Sequence, residues 1–129
     1  MSEGKRTVLI VDDNDMMRKL LAAELGRDAR FDVCVAATGA EGLEKAVSAN
    51  PAVIVLDMIL PDLSGVEFLE QLQILRPDCP SVIAITGATE TAVPDAIIEA
   101  PFRGQVSAVF RKPFDHAKLR ETVAFCAGY

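Results

Sequence analysis

Five short aliphatic runs return along the chain with room for one helix between most of them: Thr7–Val11 (TVLIV), Val33–Ala36 (VCVA), Val53–Leu56 (VIVL), Ser81–Thr86 (SVIAIT) and Ala108–Phe110 (AVF). Continuous, largely β-branched runs suit strands buried on both faces. Between them the apolar residues take helical spacing. Met17, Leu20, Leu21 and Leu25 are expected on one face, Leu43, Ala46 and Val47 on a second, Phe68, Leu69, Leu72 and Leu75 on a third, and Leu119, Val123 and Cys126 on a last one. Strands and helices alternating in this way imply a parallel sheet covered on both sides and joined by right-handed crossovers.

The helix boundaries carry their own signals. Thr38 with Glu41 and Ser64 with Glu67 have capping-box spacing, in which hydroxyl and acid satisfy orphan backbone N–H groups. Asp115 is expected to cap the last helix. Asn50-Pro51 and Arg76-Pro77 mark exits, because the residue before proline resists helical geometry.

Composition excludes several function classes. A chain of 129 residues, half of them hydrophobic, closes one core without cross-links, so a single domain over residues 1–129 is expected. Net charge is -6 and the 13 basic residues are scattered, which disfavours direct nucleic-acid binding. Cys34, Cys79 and Cys126 lie far apart, with no second Cys or His at metal-ligand spacing, and read as reduced thiols of a cytoplasmic protein. The uncharged stretch Thr7–Val11 is too short for a secretory core or a membrane span.

What such a sheet does is decided beyond the carboxyl ends of its strands. Those positions hold Asp12 and Asp13 after the first run, Asp57 after the third, Thr86 after the fourth and Lys112 after the fifth. Carboxylates about 4 Å apart repel by roughly 4 kcal/mol at an effective dielectric near 20, so the cluster calls for a cation. An oxygen-only donor set suits Mg²⁺ or Mn²⁺. A carboxylate flanked by a divalent ion, a lysine and a hydroxyl is equipped to attack a phosphoryl group, which makes Asp57 the expected nucleophile and an acyl phosphate the expected product.

With these residues placed, the chain resembles the receiver domain of bacterial response regulators. The resemblance rests on VLIVDDND, on VIVLDMILPDLSG with Pro61 and Gly65 at the family's offsets from the acid, on Thr86 closing AIT, and on Arg111-Lys112-Pro113-Phe114. It implies a flavodoxin-like, doubly wound (βα)5 fold with strand order 2-1-3-4-5. It further implies that Asp57 takes a phosphoryl group from a phosphohistidine of a sensor histidine kinase or histidine phosphotransfer protein. Asp13, Asp57 and the Ile59 backbone carbonyl would ligate Mg²⁺, with Asp12 acting mostly through water. Lys112 would pair with Asp57 and then with the phosphoryl oxygens, Thr86 would move to bond the phosphate, and Lys112-Pro113 would be cis. Output would come from binding a downstream protein, as a monomer or a phosphorylation-dependent dimer, with no output domain in the chain and no metabolic activity beyond turnover at Asp57.

Three features depart from the family pattern. Val109 stands where an aromatic residue often precedes the lysine by three, and Phe110 cannot replace it because successive strand residues point to opposite faces. The segment between Thr86 and Lys112 is long and holds Pro94, Pro101 and Gly104, which would shorten or kink any helix there. Ile59 and Ala88 offer no polar group to orient a hydrolytic water, so slow decay of the phosphoryl form is expected. Two other functions compete with this reading. A haloacid-dehalogenase-type phosphohydrolase needs a D-x-D-x-T pattern, of which Asp13 to Met17 supplies only the acids. A phosphorylation-independent receiver-like binding module is the second. His116 is expected to be solvent-exposed, and Met16, Met17 and Met58 to be core filler or cleft rim.

Overall fold

A computed structural model describes residues 5–78, 80–87 and 105–129. Five strands, β1 (Arg6–Val11), β2 (Phe31–Ala36), β3 (Val53–Asp57), β4 (Ser81–Thr86) and β5 (Val106–Arg111), form one parallel sheet in the order β2-β1-β3-β4-β5. The expected strand order is therefore observed. Four helices are described: α1 (Asp15–Gly26), α2 (Gly39–Ser48), α3 (Gly65–Leu75) and α4 (His116–Cys126). Cys79, Ala88, Pro94, Pro101 and Gly104, and with them the long segment after Thr86, lie outside the described residues.

Strand alternation divides the core in two. Leu9, Val11, Ile54, Leu56, Val82 and Ala84 meet Leu43 and Ala46 of α2 and Phe68, Leu69 and Leu72 of α3. Val8, Ile10, Val53, Val55, Ile83 and Ile85 meet Leu21 and Leu25 of α1 and Leu119 and Val123 of α4. Every side chain of β3 is buried, Asp57 included, as expected of a central parallel strand. At the edge, the register of β5 slips between Val82 and Ile83, so that Val82 pairs with Val106 but Ile83 with Ala108. That bulge at Ser107 lets Val106 and Val109 face the same cluster although they stand three positions apart, an odd spacing.

The helical faces are narrower than their spacing suggests. Leu20, Val47 and Leu75, each placed on a buried face by periodicity, are about half exposed. Each lies at the margin of its stripe, where α1 is held by Met17, Leu21 and Leu25, and α2 by Gly39, Gly42, Leu43 and Ala46. Ser64 and Glu67 form a complete capping box. Thr38 makes only half of one: its hydroxyl accepts from the Glu41 N–H, but the Glu41 carboxylate takes the N–H of Ala37, one residue too early. Asp115 caps α4 by accepting from Ala117 and Lys118. Asn50, after α2, takes a left-handed φ of 48°, a conformation asparagine tolerates.

Candidate phosphoacceptor site

Register builds the acid cluster. β1 pairs with β3 from Val8 against Val53 to Val11 against Leu56, and one further step along both strands sets Asp12 beside Asp57. Asp13 follows in the turn, and one carboxylate oxygen from each of Asp12, Asp13 and Asp57 lies within 4.8 Å of the others. Asp12 and Asp57 are buried whereas Asp13 is exposed, so the cluster opens to solvent on the Asp13 side.

Each buried acid is positioned by local hydrogen bonds. Oδ1 of Asp57 accepts the N–H of Ile59 at 3.0 Å, and Oδ2 faces the Lys112 Nζ at 3.2 Å. Oδ1 of Asp12 accepts the N–H of Asn14 at 2.8 Å. Its Oδ2 is buried without a hydrogen-bond partner among the described residues. Burial pushes the Asp12 carboxyl up to about 6; the Asn14 N–H opposes the rise and the neighbouring charge of Asp57 adds to it.

Thr86 and Lys112 arrive from the next two strands. The Lys112 N–H donates to the Thr86 carbonyl at 2.9 Å, extending the β4–β5 ladder by one bond beyond the Thr86–Arg111 pair. The Thr86 side chain is fully buried and its hydroxyl has no partner among the described residues. Lys112-Pro113 is a cis peptide.

The loop after Asp57 is held by contacts that short motifs do not announce. Met58 donates to the Ile85 carbonyl and accepts from Gly65, closing residues 59–64 into a tight excursion. A Cβ on Gly65 would come within 2.8 Å of the Met58 Cα, so only glycine fits there. Asp62 reaches across to α2, where its two oxygens accept the N–H groups of Gly39 and Ala40 at 2.8 and 2.9 Å. Those bonds hold its carboxyl below the usual carboxylate range. On the other side of the cluster, Arg18 donates from Nη1 to the Asp12 carbonyl at 2.9 Å and pairs with Asp15. Arg18 and Asp62 are positioning residues that sequence reading missed, because each acts on backbone groups of another segment.

Ile59 is exposed at the mouth of the site. Val109 packs toward α2 and α3, and Phe110 turns to the opposite face, where its ring lies 5.7 Å from that of Phe114. His116 is not fully exposed: its ring sits 5.1 Å from Phe114 and it is half-buried. Met58 is core and Met17 borders it, whereas Met16 is exposed.

Fold and site together define a doubly wound α/β domain with an oxygen-donor cluster at the point where its strand order reverses. The response regulator receiver domain family matches residues 8–124. A protein-glutamate methylesterase/protein-glutamine glutaminase of Caulobacter vibrioides is 35% identical over 124 residues, which are 94% of this chain and 34% of that protein. Its counterpart in Xanthomonas oryzae pv. oryzae is 38% identical over 118 residues, 91% of this chain and 32% of that protein. The chain thus spans about one third of the length of these relatives. Among solved structures, the response regulator domain of Thermotoga maritima CheB superposes with a TM-score of 0.82 at 26% identity, covering 97% of this chain and 98% of that one. A CheY-like receiver domain protein of Methanospirillum hungatei gives 0.83 at 27% identity, covering 95% and 94%. The chain belongs to the response regulator receiver family of two-component signalling, whose members accept a phosphoryl group and act between a phosphodonor and an effector.

No helix among the described residues is long and apolar enough to cross a membrane. Cys34 and Cys126 are free thiols, and burial raises the Cys34 thiol above its ordinary value.

Proposed function

We propose that Asp57 is the phosphoacceptor of this receiver. The observation that carries the reading is its setting: a carboxylate buried at the end of β3, within 4.8 Å of two others and 3.2 Å from the Lys112 amine. A carboxylate oxygen of Asp57 would attack phosphorus while the bond to the donor breaks. With a phosphohistidine of a sensor kinase or phosphotransfer protein, the P–N bond is lost and the imidazole keeps the electron pair and takes a proton. Lys112 would stay beside Asp57 and balance charge on the transferred oxygens. The Thr86 hydroxyl, buried and without a partner among the described residues, is available to donate to the same group.

The donor set fits a hard divalent cation: three carboxylates of one sign converge, and the buried Oδ2 of Asp12 lacks a hydrogen-bond partner among the described residues. Asp13, Asp57 and the Ile59 carbonyl would hold Mg²⁺ or Mn²⁺, with Asp12 acting mostly through water. When bound, the ion supplies charge neutralisation for the phosphoryl oxygens. With Val109 facing α2 and α3 and Phe110 facing away, the output of Thr86 would pass to an aliphatic strand face, without a rotating ring on β5.

Intact-mass spectrometry after incubation with acetyl phosphate and Mg²⁺ tests the proposal. A single phosphoryl adduct that disappears in Asp57→Asn and without divalent metal is expected. A folded protein that acquires no adduct would overturn it in favour of a phosphorylation-independent module.

A further inference from the structure

At the pole opposite Asp57, where the parallel strands begin, lies a shallow cavity of about 370 Å³ lined by Arg27, Asp28, Ala29, Arg30 and Arg120. Arg27 is the C-cap of α1, Arg30 leads into β2, and Arg120 projects from α4. Three arginines therefore line one small hollow in a chain whose net charge is -6. We propose that this cavity is an anion site, and that it takes a phosphate or the phosphate of a small phosphate ester.

Two of the three guanidinium groups are fixed in place. Arg30 donates from Nε and Nη2 to the two oxygens of Asp28 at 2.9 and 2.7 Å, and its plane lies 4.9 Å from the Tyr129 ring centre and 5.7 Å from that of Phe31. Arg120 donates from Nη1 to Glu24 at 2.9 Å. A guanidinium has five N–H donors, so both keep donors to spare, and their directions are already set. Asp28, the one acid in the lining, has both oxygens engaged by Arg30, and it stays ionised as the partner of that group.

These pairs alone could be a strap joining α4 to α1 and closing the turn into β2. Such a strap does not use Arg27. Its side chain makes no hydrogen bond or ion pair among the described residues, although Arg27 lines the cavity together with Arg30 and Arg120. The carboxyl end of α1 favours a cation at this position without using its donors. An arginine without a side-chain partner among the described residues, lining one cavity with two whose guanidinium groups are held, offers the forked donors by which arginine holds phosphate oxygens. The hollow falls at the small end of ligand-site volumes, roughly 300–1,000 Å³, which suits a compact anion.

The test uses ¹⁵N-labelled protein without divalent metal, so it is independent of chemistry at Asp57. Orthophosphate and AMP are titrated separately against chloride at matched ionic strength, and backbone amide and arginine Nε signals are followed. Saturable shifts confined to Arg27–Arg30 and Arg120, weakened at least about tenfold in Arg27→Gln, are expected. The tighter of the two probes identifies the source as free phosphate or a phosphate ester. Because the Arg27 side chain makes no bond among the described residues, the variant should fold as the parent does, which the unchanged remainder of its spectrum would verify. Shifts that chloride reproduces, no saturation with either probe, or equal affinity in Arg27→Gln would each overturn the site.

Discussion

Removing the Asp12 charge should stabilise the metal-free protein while damaging its site. Burial raises the Asp12 carboxyl from 3.8 to about 6 in the folded state. Between these values the native protein binds more protons than the unfolded chain, so stability falls as pH rises through that window. A displacement of roughly two pK units corresponds to about 3 kcal/mol, fully expressed above neutral pH. Asp12→Asn keeps the volume and the acceptor for the Asn14 N–H but cannot ionise. In urea unfolding with chelator present, the variant should exceed the parent by about 2–3 kcal/mol near pH 7.5 and by much less near pH 4.5. The difference between those differences isolates Asp12 from other titrating groups. Parallel pH profiles for the two proteins would refute the argument that desolvation at Asp12 is what the site costs the fold.

Lys112→Met should leave the Asp57 charge without its partner, reducing stability by about 1–2 kcal/mol and slowing adduct formation with acetyl phosphate in time-resolved mass spectra. Gly65→Ala forces a Cβ against the Met58 backbone and should lose about 1–3 kcal/mol in denaturant unfolding. Asp62→Ala removes the bonds to Gly39 and Ala40; because the Asp62 carboxyl lies below its ordinary value, the lost stability should be present at neutral pH and vanish in acid, as thermal unfolding at both would register. Ile59→Asn places a polar side chain at the mouth of the site and should shorten the life of the phosphoryl form; a longer life in the variant would count against the role given to Ile59.

The features legible in the sequence were those set by chain-local rules. Alternation of runs and helical spacing indicate the sheet, and the carboxyl ends of those runs supply Asp12, Asp13, Asp57, Thr86 and Lys112 without any distance. Parity along β5 also separated Val109 from Phe110 correctly, because the bulge falls at Ser107, upstream of both. Features that depend on tertiary placement were hidden. Leu20, Val47 and Leu75 sit at the margins of apolar stripes, where exposure depends on how far the neighbouring layer reaches, and they end about half exposed. Glu41 prefers the Ala37 N–H to the one its capping-box spacing predicts. Arg18 and Asp62 bind backbone groups of other segments, and the stacking of Phe110, Phe114 and His116 depends on how the β5–α4 connection turns.

Of the three clustered acids, Asp57 is the one proposed to carry the phosphoryl group. Trapping the phosphorylated protein with hydroxylamine, which converts an acyl phosphate to a hydroxamate, and mapping the product by tandem mass spectrometry would identify the acceptor. Modification at Asp57 alone is predicted, and modification at Asp12 or Asp13, or at no carboxylate, would contradict it.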